Sequence, residues 1–539
     1  MGRIAMTAQG DWDAIRAGFR WPRLDRYNIA EAVSDRWARS DPDRLALVEL
    51  RDGRRRDWRH GELARTSRRL ANAFAAHGIG RGDRVAVLLP QSPETLLTHL
   101  AAYRLGAIAV PLFTLFGPDG LRFRLADAGV KAVVTDAANL SKLAGMTADL
   151  PELAAIFAID TREAGALGFW EELGRASDAH PIAATGPNDP AFLSYTSGTT
   201  GPPKGALHGH RVLMGHLPGV QLAHEGLGLP GDLIWTPADW AWMGGLTNVL
   251  LPALEAGVPV VAHRMAKFDP ERAAALMADL GVRNAFLPPT ALKLMRRAGV
   301  ARAPGLRSVT SAGEPLGAEL LDWGRGVFGR DINEFYGQTE CNAMIGNCAA
   351  IQPVRPGSAG RAVPGHQVAI LDGEGRPCAP GEMGEIAVRA PDPVMFLGYW
   401  NRPDKTAEKF RDGWLLTGDE GRMDEAGYVH FSARADDVIT SAGYRIGPSE
   451  IEDCLTGHPD VALAAVVGVP DPIRTESVKA FVVLREGAAE TGLADALTAR
   501  VRRLVSPHVA PREVAFVQSL PMTDTGKIQR RVLREAPRA

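Results

Sequence analysis

The chain has 539 residues, and its 61 lysines and arginines nearly balance 63 aspartates and glutamates, giving a formal net charge of −2. This balance excludes the strong basic field that recruits nucleic acid or an anionic membrane, and the length predicts at least two domains. The four cysteines, Cys341, Cys348, Cys378 and Cys454, lack Cys-x-x-Cys spacing. We therefore expect no zinc site and no disulfide framework, and a reducing cytoplasm fits.

The hydropathy pattern favours neither a signal peptide nor a membrane span. Residues 1–21 contain no continuous apolar segment, so no signal peptide is expected. The most apolar window, residues 240–262, is interrupted by Pro252, Glu255 and Pro259. Short buried elements therefore explain that window better than a membrane span does.

The N-terminal part of the chain alternates between helical and strand patterns. Helices are predicted over 28–37, 63–77 and 93–105, and strands over 45–48, 85–89, 132–134, 258–261, 285–287 and 309–310. Such alternation is typical of an α/β fold with parallel sheets and right-handed crossovers.

The pattern changes twice further along. Short alternating segments between Gly/Pro turns predict a β-rich subdomain over 357–429. A compact α+β unit is then predicted, with a helix starting at Pro448, strands over 464–469, 480–484 and 514–517, and a helix over 493–504. We accordingly predict a large domain over 1–434 and a small one over 435–539.

A polar, glycine-rich run follows the apolar segment 191–193. It reads Tyr195-Thr196-Ser197-Gly198-Thr199-Thr200-Gly201-Pro202-Pro203-Lys204-Gly205. Glycines let backbone N–H groups turn toward an anion, and the hydroxyls and the ammonium add donors, so the run predicts a polyphosphate cradle. It is not a Walker A loop, because Pro203 precedes Lys204. The alternative is a flexible linker, but a linker needs no lysine.

The run resembles the phosphate-binding signature of the adenylate-forming superfamily, which contains acyl-CoA synthetases, peptide-synthetase adenylation domains and luciferases. The resemblance implies that Thr196 and Lys204 act in catalysis and that ATP phosphates bind here. The implied phosphate-binding residues are Thr196, Ser197, Gly198, Thr199, Thr200 and Lys204.

Two downstream segments resemble the family's adenine-binding motifs. They are Ser311-Ala312-Gly313-Glu314-Pro315 and Glu334-Phe335-Tyr336-Gly337-Gln338-Thr339-Glu340. The resemblance implies that an aromatic ring stacks on adenine and that Glu340, next to Thr339, holds the Mg²⁺ that bridges the phosphates. Each segment alone is more often a plain turn, and only their order after the cradle favours a nucleotide site.

The next matches concern the ribose, the hinge and CoA. Asp419, in Trp414-Leu415-Leu416-Thr417-Gly418-Asp419, resembles the ribose-binding aspartate, although an Asp-capped turn is the alternative. In the segment 434–446 the resemblance implies ribose contact for Arg434, a hinge at Asp436, and CoA contacts for Gly443, Tyr444 and Arg445. Ala433 and Ala442 replace the usual glycine and serine there, and a solvated loop is the alternative reading.

The last motif, Leu520 to Ile528, resembles the one that carries the catalytic lysine, here Lys527. Met522 and Thr525 replace the usual basic residue and serine, whereas Gly526 and Lys527 are retained. Five motifs in order identify the chain as similar to short- and medium-chain acyl-CoA synthetases, which use ATP, Mg²⁺ and coenzyme A to activate a small carboxylic acid.

The acyl pocket is placed by the same resemblance. Its implied residues are Trp242, Met243, Gly244, Ala312 and Gly337, although Trp242 and Met243 could equally be plain core residues. Gly337 stands where acetyl-selective relatives carry a tryptophan, so we expect open space there and an acid longer than acetate, with branched or aromatic acids left open.

Three alternative functions remain. They are loading of a carrier protein, luciferase-like oxidation of the adenylate, and a catalytically silent ATP-binding protein. The oligomeric state, a homodimer included, is left open.

Overall fold

The computed structural model describes residues 11–196, 202–303, 305–434, 437–441, 444–471, 475–507, 509–522 and 528–535. Their strands form three sheets. The predicted fold class is confirmed: a large N-terminal part contains two sheets with parallel strands and a β-rich extension, and a smaller α+β unit follows.

The first sheet contains both a parallel and an antiparallel half. Its neighbouring strands are, in order, Val368–Leu371, Met383–Arg389, Trp414–Met423, Tyr428–Arg434, Gly360–Ala362, Ile345–Gly346, Ile332–Tyr336, Ser308–Ser311, Asn284–Phe286, Ile234–Trp235, Val260–Ala262, Leu45–Arg51 and Arg54–Arg59, with Phe410–Arg411 paired to Trp414–Met423. Strands from Ile332–Tyr336 to Leu45–Arg51 run parallel, whereas those between Ile345 and Arg434 pair antiparallel. The antiparallel half is the β-rich subdomain that the turn-rich sequence predicts.

The second sheet is parallel except at one edge. Its strands are, in order, Gly398–Tyr399, Lys204–Gly209, Pro190–Thr196, Ile108–Pro111, Arg84–Leu88, Val130–Thr135, Ala155–Ala158 and Leu167–Gly168. The first three are antiparallel neighbours, so the strands on either side of the predicted phosphate cradle pair with each other next to the edge strand Gly398–Tyr399.

The C-terminal unit forms the third sheet. Its strands are Tyr444–Ile446, Ile439–Ser441, Thr475–Leu484 and Val461–Asp471 in that order, with Glu513–Phe516 paired parallel to Thr475–Leu484. The strands predicted over 464–469 and 480–484 are the inner parts of one long antiparallel pair.

Helices cover the sheets. They are Trp12–Gly18, Glu31–Asp35 (wider, π-type turns), Arg36–Ser40, His60–Ala76, Pro93–Leu105, Pro118–Ala128, Ala137–Leu140, Phe169–Arg175, Arg211–Ala223, Met243–Gly245, Leu246–Leu250 (also π-type), Leu251–Glu255, Pro270–Leu280, Pro289–Arg297, Ala318–Phe328, Pro403–Ala407, Pro448–Thr456, Leu493–Leu504 and Arg530–Glu535. None in the described part of the chain is long and apolar enough to cross a membrane.

Local sequence explains where several helices begin. The helix Pro93–Leu105 matches its predicted bounds because Ser92 caps it, accepting the Thr95 N–H, and proline occupies its first turn. The helix predicted over 28–37 is found as a helical run over 29–40, with π-type turns at Glu31–Asp35, and Asn28 caps it by accepting the Ala30 N–H.

One apolar cluster joins the two large sheets. It includes Leu47 of the first sheet, Phe192 of the second and Trp240 of a connecting segment, each at most 1% exposed. Burial of aromatic and aliphatic side chains on this scale holds the two sheets against each other. This packing also fixes the distance between the segments that follow the strands of the first sheet and those that follow the strands of the second.

Candidate active site

The phosphate hairpin is anchored on both sides of its tip. Thr196 pairs with Lys204 and Tyr195 with Gly205, and the Thr196 hydroxyl donates to the Lys204 carbonyl at 3.3 Å. Tyr195 donates from its hydroxyl to Asp127 at 2.8 Å. Ser197, Gly198, Thr199 and Thr200 lie outside the described residues. The described residues before and after this run thus form two short paired strands.

Lys204 and Glu340 meet at a third residue, Tyr399. The Lys204 ammonium lies 4.8 Å from the centre of the Tyr399 ring, and the Tyr399 hydroxyl donates to Glu340 Oε1 at 2.5 Å. Tyr399 reaches this position because its strand pairs with the strand that begins at Lys204. The structure therefore brings together the two groups predicted to act on the ATP phosphates.

The residues present fit a magnesium ion held largely by substrate. Glu340 is 8% exposed and offers one carboxylate, and no group of three or more His, Cys, Asp or Glu side chains that could hold a metal occurs among the described residues. Mg²⁺ is commonly bound through one or two carboxylates, with phosphate and water oxygens completing its six ligands. Glu340 would hold the ion, and the ion would supply positive charge to the phosphates.

The two predicted adenine segments are joined by a buried carboxyl group. Ser311 and Glu334 are paired residues on neighbouring parallel strands, and Glu334 Oε2 accepts the Leu316 N–H at 3.4 Å. Burial raises the pKa of Glu334 well above its ordinary value. Gly313 has a φ of +107°, a conformation open to glycine, and Glu314 pairs with Lys293 at 3.1 Å. Pro315 lies in the chain between Glu314, which pairs with Lys293, and Leu316, whose N–H bonds to Glu334.

The predicted ribose ligand is held from several directions. Asp419, 5% exposed, accepts the Tyr336 hydroxyl at 2.5 Å and the Gln338 amide at 2.6 Å. Its backbone is the register partner of Arg434 on the next strand. Burial and then the charge of Asp419 raise the pKa of Tyr336, so its hydroxyl stays a donor. Thr339, in the same segment, is half-buried. The ring centre of Phe335 lies 5.7 Å from that of Phe286.

The predicted acyl residues lie around one indole ring. Trp242 is half-buried, and its ring centre lies 5.8 Å from that of Phe286. A Cβ on Gly244 would lie 2.5 Å from the Trp242 ring, and one on Gly313 would lie 3.3 Å from it. Met243 is 2% and Ala312 7% exposed, and both belong to the main core cluster. The indole therefore fills the space beside both glycines.

The expectation of open space beside Gly337 is wrong. A Cβ there would lie 2.3 Å from the Ala343 amide nitrogen and 2.6 Å from the Asn342 Cα. Glycine is required because the backbone at Asn342 and Ala343 approaches closely, and no open space lies where a side chain at 337 would begin. The position still carries no tryptophan that could close a pocket.

A carboxyl group that the motifs did not indicate lies close to Trp242. Asp239 Oδ1 accepts the Ala241 N–H at 2.8 Å, and Gln91 donates to the neighbouring carbonyls of Pro237 and Ala238. Burial raises the pKa of Asp239 to about 6, against the opposing effects of the Ala241 hydrogen bond and Arg264. The acyl side of the site therefore contains a carboxyl group that is costly to ionise.

The remaining predicted residues lie in or near the C-terminal unit. Tyr444 and Arg445 begin the strand that pairs with Ile439–Ser441. Asp436, Gly443 and Lys527 lie outside the described residues.

Asp127 and Tyr399 were missed by sequence reasoning. Asp127 accepts from Tyr195 at 2.8 Å and from Arg402 at 3.0 Å, tying the hairpin to the segment after Tyr399. Both residues are far from the hairpin in sequence, and no local pattern marks them. Only the pairing of Tyr399 with Ala206 could have indicated them.

Parallel strands whose carboxyl ends carry the predicted nucleotide residues, with carboxylate, lysine and tyrosine groups close to one another, are the arrangement expected of a nucleotide-binding enzyme. Comparison with known proteins agrees. A family described as AMP-binding enzyme matches residues 34–400, and the AMP-binding enzyme C-terminal domain matches residues 450–527.

Three relatives illustrate the match. Acetyl-coenzyme A synthetase of Bacillus subtilis is 34% identical, covering 97% of this chain and 93% of its own. The anthranilate CoA ligase AuaEII, in complex with anthranoyl-AMP, superposes with a TM-score of 0.86 at 28% identity, covering 95% and 97%. ATP-bound MatB from Rhodopseudomonas palustris gives 0.83 at 30% identity, and apo MatB gives 0.76, each covering 95% and 98%.

The chain belongs to the AMP-binding enzyme family. It is an AMP-forming acyl-CoA synthetase, an acid–thiol ligase that uses ATP and CoA.

Proposed function

We propose that this enzyme joins a carboxylic acid longer than acetate to CoA in two half-reactions, through an acyl-adenylate. The observation that carries the proposal is the single segment 334–340. At one end Tyr336 and Gln338 contact the ribose-binding candidate Asp419, and at the other Glu340 accepts the hydroxyl of Tyr399, whose ring lies beside Lys204. This arrangement supports one segment that reaches from the nucleoside to the phosphates.

In the first half-reaction a carboxylate oxygen attacks the α-phosphorus of ATP, and the bond to pyrophosphate breaks. Because two anions approach each other, the protein must supply position and positive charge rather than a nucleophile. Lys204 and the hairpin tip would hold the outer phosphates, Glu340 would hold Mg²⁺, and Asp419 with Arg434 would hold the ribose. By resemblance, Lys527 bridges the acid and the α-phosphate.

In the second half-reaction the CoA sulfur attacks the acyl carbonyl and AMP leaves. We propose that residues 435–539 rotate about Asp436, withdrawing Lys527 and bringing Gly443, Tyr444 and Arg445 to the pantetheine arm. The chain superposes better on ATP-bound than on apo MatB, with TM-scores of 0.83 and 0.76. This difference supports assigning the described arrangement to the first half-reaction.

The acid is proposed to be short- or medium-chain. Support comes from the half-buried Trp242, a single flat wall that a longer chain could lie against. The names of the relatives span an acetyl and an anthranilate ligase, so the fold itself admits acids of different size. Trp242, Phe286 and Phe335 form a continuous aromatic series, which favours an aromatic acid as the second candidate.

The test is CoA-dependent release of AMP and pyrophosphate across acetate, butyrate, hexanoate, octanoate, branched acids and benzoate. A maximum between butyrate and octanoate is expected, with stoichiometric thioester. A maximum at acetate would contradict the chain-length proposal, and one at benzoate would select the aromatic candidate. Pyrophosphate release without thioester would instead indicate transfer to a carrier protein.

A further inference from the structure

The metal-binding candidate Glu340 is held at two points by one short segment. Its backbone carbonyl accepts the Phe396 N–H at 2.8 Å, and Oε1 of its carboxylate accepts the Tyr399 hydroxyl at 2.5 Å. Glu340 is 8% and Tyr399 6% exposed, so both partners of the second bond are withdrawn from solvent. Because a hydrogen bond to a carboxylate is stronger than one between neutral groups, this bond fixes the direction of the Glu340 side chain.

The Tyr399 hydroxyl occupies only one of the two carboxylate oxygens. Glu340 Oε2 accepts no hydrogen bond from the residues that the structure describes. Mg²⁺ is commonly held through a single carboxylate, with phosphate and water oxygens as its other ligands. A carboxylate whose Oε1 is fixed by Tyr399 can therefore offer Oε2 to an ion without first rotating.

The ring of the same tyrosine lies beside the second charged group of the site. Lys204 Nζ is 4.8 Å from the centre of the Tyr399 ring, within the range in which an ammonium is attracted to an aromatic face. One side chain thus contacts the carboxylate predicted to hold the ion and the ammonium predicted to hold the phosphates. It uses its hydroxyl for the first and its ring for the second, so the two contacts can be removed separately.

The backbone of Tyr399 is fixed without the help of its hydroxyl. Tyr399 is the register partner of Ala206 on the neighbouring strand, and its N–H donates to the Thr406 hydroxyl at 2.8 Å. The next residue, Trp400, donates its N–H to the Gly205 carbonyl at 2.7 Å. Loss of the hydroxyl should therefore leave the strand in place.

Tyr428 is a matched comparison within the same chain. It is 3% exposed, Arg355 lies 4.0 Å from its ring centre, and its hydroxyl donates to the Pro353 carbonyl at 2.8 Å. A neutral carbonyl is enough to satisfy a buried hydroxyl. Tyr399 instead donates to the carboxylate predicted to hold Mg²⁺, which a role in the fold alone does not require.

We propose that Tyr399 is a positioning residue for metal-dependent binding of ATP. Its hydroxyl fixes Glu340 so that one carboxylate oxygen is available to Mg²⁺, and its ring holds Lys204 beside the phosphates. The inference rests on the proposed role of Glu340 in holding Mg²⁺. Its test measures binding without any acid or CoA, so the result does not depend on the proposed acid or on the two half-reactions.

The probe is α,β-methylene-ATP, which cannot release pyrophosphate. Isothermal titration calorimetry gives its Kd in EDTA and in saturating Mg²⁺, and the ratio of the two values measures how far the metal strengthens nucleotide binding. In Tyr399→Phe this ratio should fall about tenfold while the Kd in EDTA stays unchanged, since loss of a partner that orients a metal ligand typically costs about 10- to 100-fold in metal affinity. The control Tyr428→Phe should change neither value.

Tyr399→Leu removes the ring as well as the hydroxyl. The Kd in EDTA should then rise about threefold, because Lys204 loses the aromatic face, in addition to the fall in the ratio. An equal weakening of Tyr399→Phe in EDTA and in Mg²⁺ would show that the hydroxyl supports only the fold and would overturn the proposal. A larger ratio in Tyr399→Phe would also overturn it, since the hydroxyl would then compete with the ion.

Glu340→Gln separates the positioning role from the metal role. It should lower the ratio by itself, and adding Tyr399→Phe should lower it no further, because the hydroxyl acts through the carboxylate. If Glu340→Gln lowers the ratio and Tyr399→Phe does not, the metal role stands and the positioning role fails. If neither lowers it, both fail.

Glu340→Asp tests the same contact should Tyr399→Phe not fold. The substitution keeps the charge but draws the carboxylate back from the Tyr399 hydroxyl, so the ratio should again fall about tenfold. An unchanged ratio would mean that the contact does not matter for the metal, and the proposal would be wrong.

Discussion

The nucleotide side and the acyl side of the site are built differently. On the nucleotide side, polar groups from short motifs bond to one another, as Tyr336 and Gln338 do to Asp419. On the acyl side, Trp242 is set by packing against Phe286 and against two glycines. Directional hydrogen bonds therefore fix the side chains of the predicted nucleotide site, whereas packing fixes the predicted acyl wall.

The largest effect is expected from the lysine assigned to the nucleotide reaction. Lys527→Ala should lower the adenylation rate about 10²- to 10³-fold by removing a preorganised positive charge, and should spare thioester formation from supplied adenylate. Single-turnover assays of each half-reaction would measure this, with Lys405→Ala, at a half-buried lysine paired with Glu408, as control. An equal loss in both half-reactions would contradict the assignment.

The ribose-binding candidate should come next. Asp419→Asn weakens hydrogen bonds to a charged acceptor, worth about 1.5–3 kcal/mol, so KM for ATP should rise about 10- to 100-fold. The exposed Glu425→Gln on the adjoining turn is the control. A normal KM for ATP combined with a loss of thermal stability would mean that Asp419 serves the fold alone.

Gly337→Ala tests the corrected interpretation of the acyl side. Because its Cβ would overlap the backbone at Ala343, the substitution should lower the free energy of unfolding by about 1–3 kcal/mol. Urea unfolding would measure the change. Gly373→Ala, where a Cβ meets nothing within 4 Å, is the matched control. A fully stable Gly337→Ala enzyme with a shorter acid preference would restore the open-space interpretation.

Asp239 predicts a pH dependence on the acyl side. Its folded-state pKa of about 6 lies above the unfolded value, so the folded protein binds the extra proton and loses stability as pH rises between these values. Asp239→Asn should therefore stabilise the protein by about 1–3 kcal/mol near pH 8 and have little effect near pH 4. Urea unfolding at both pH values measures this, and a stabilisation that is the same at both would contradict the raised pKa.

The smallest effect concerns the acyl wall itself. Trp242→Ala should lower kcat/KM for octanoate relative to butyrate about tenfold, because the longer chain loses methylene contacts with the indole ring. Trp170→Ala, on a distant exposed surface, should leave the ratio unchanged. An equal loss for every acid would show that Trp242 serves packing alone.

The sequence by itself determined the fold class and the order of the nucleotide motifs. Strand–helix alternation sets parallel sheets, and the caps and proline around Pro93–Leu105 set that helix within a residue, since these signals act over one helical turn. The roles of the motif residues stay predictions, although the structure brings Lys204 and Glu340 to a common neighbour.

Only the tertiary structure decided what lies beside those residues. Tyr399 reaches the hairpin through strand pairing, and Asp127 reaches it from the end of a helix far away in sequence. Gly337 faces the backbone of Asn342 and Ala343, where the sequence motif alone predicts open space. Arg530 likewise bonds to Asp437 and Glu452, which lie 93 and 78 residues before it. Such contacts arise from long-range packing, where any of many polar residues could serve, and therefore no local pattern marks them.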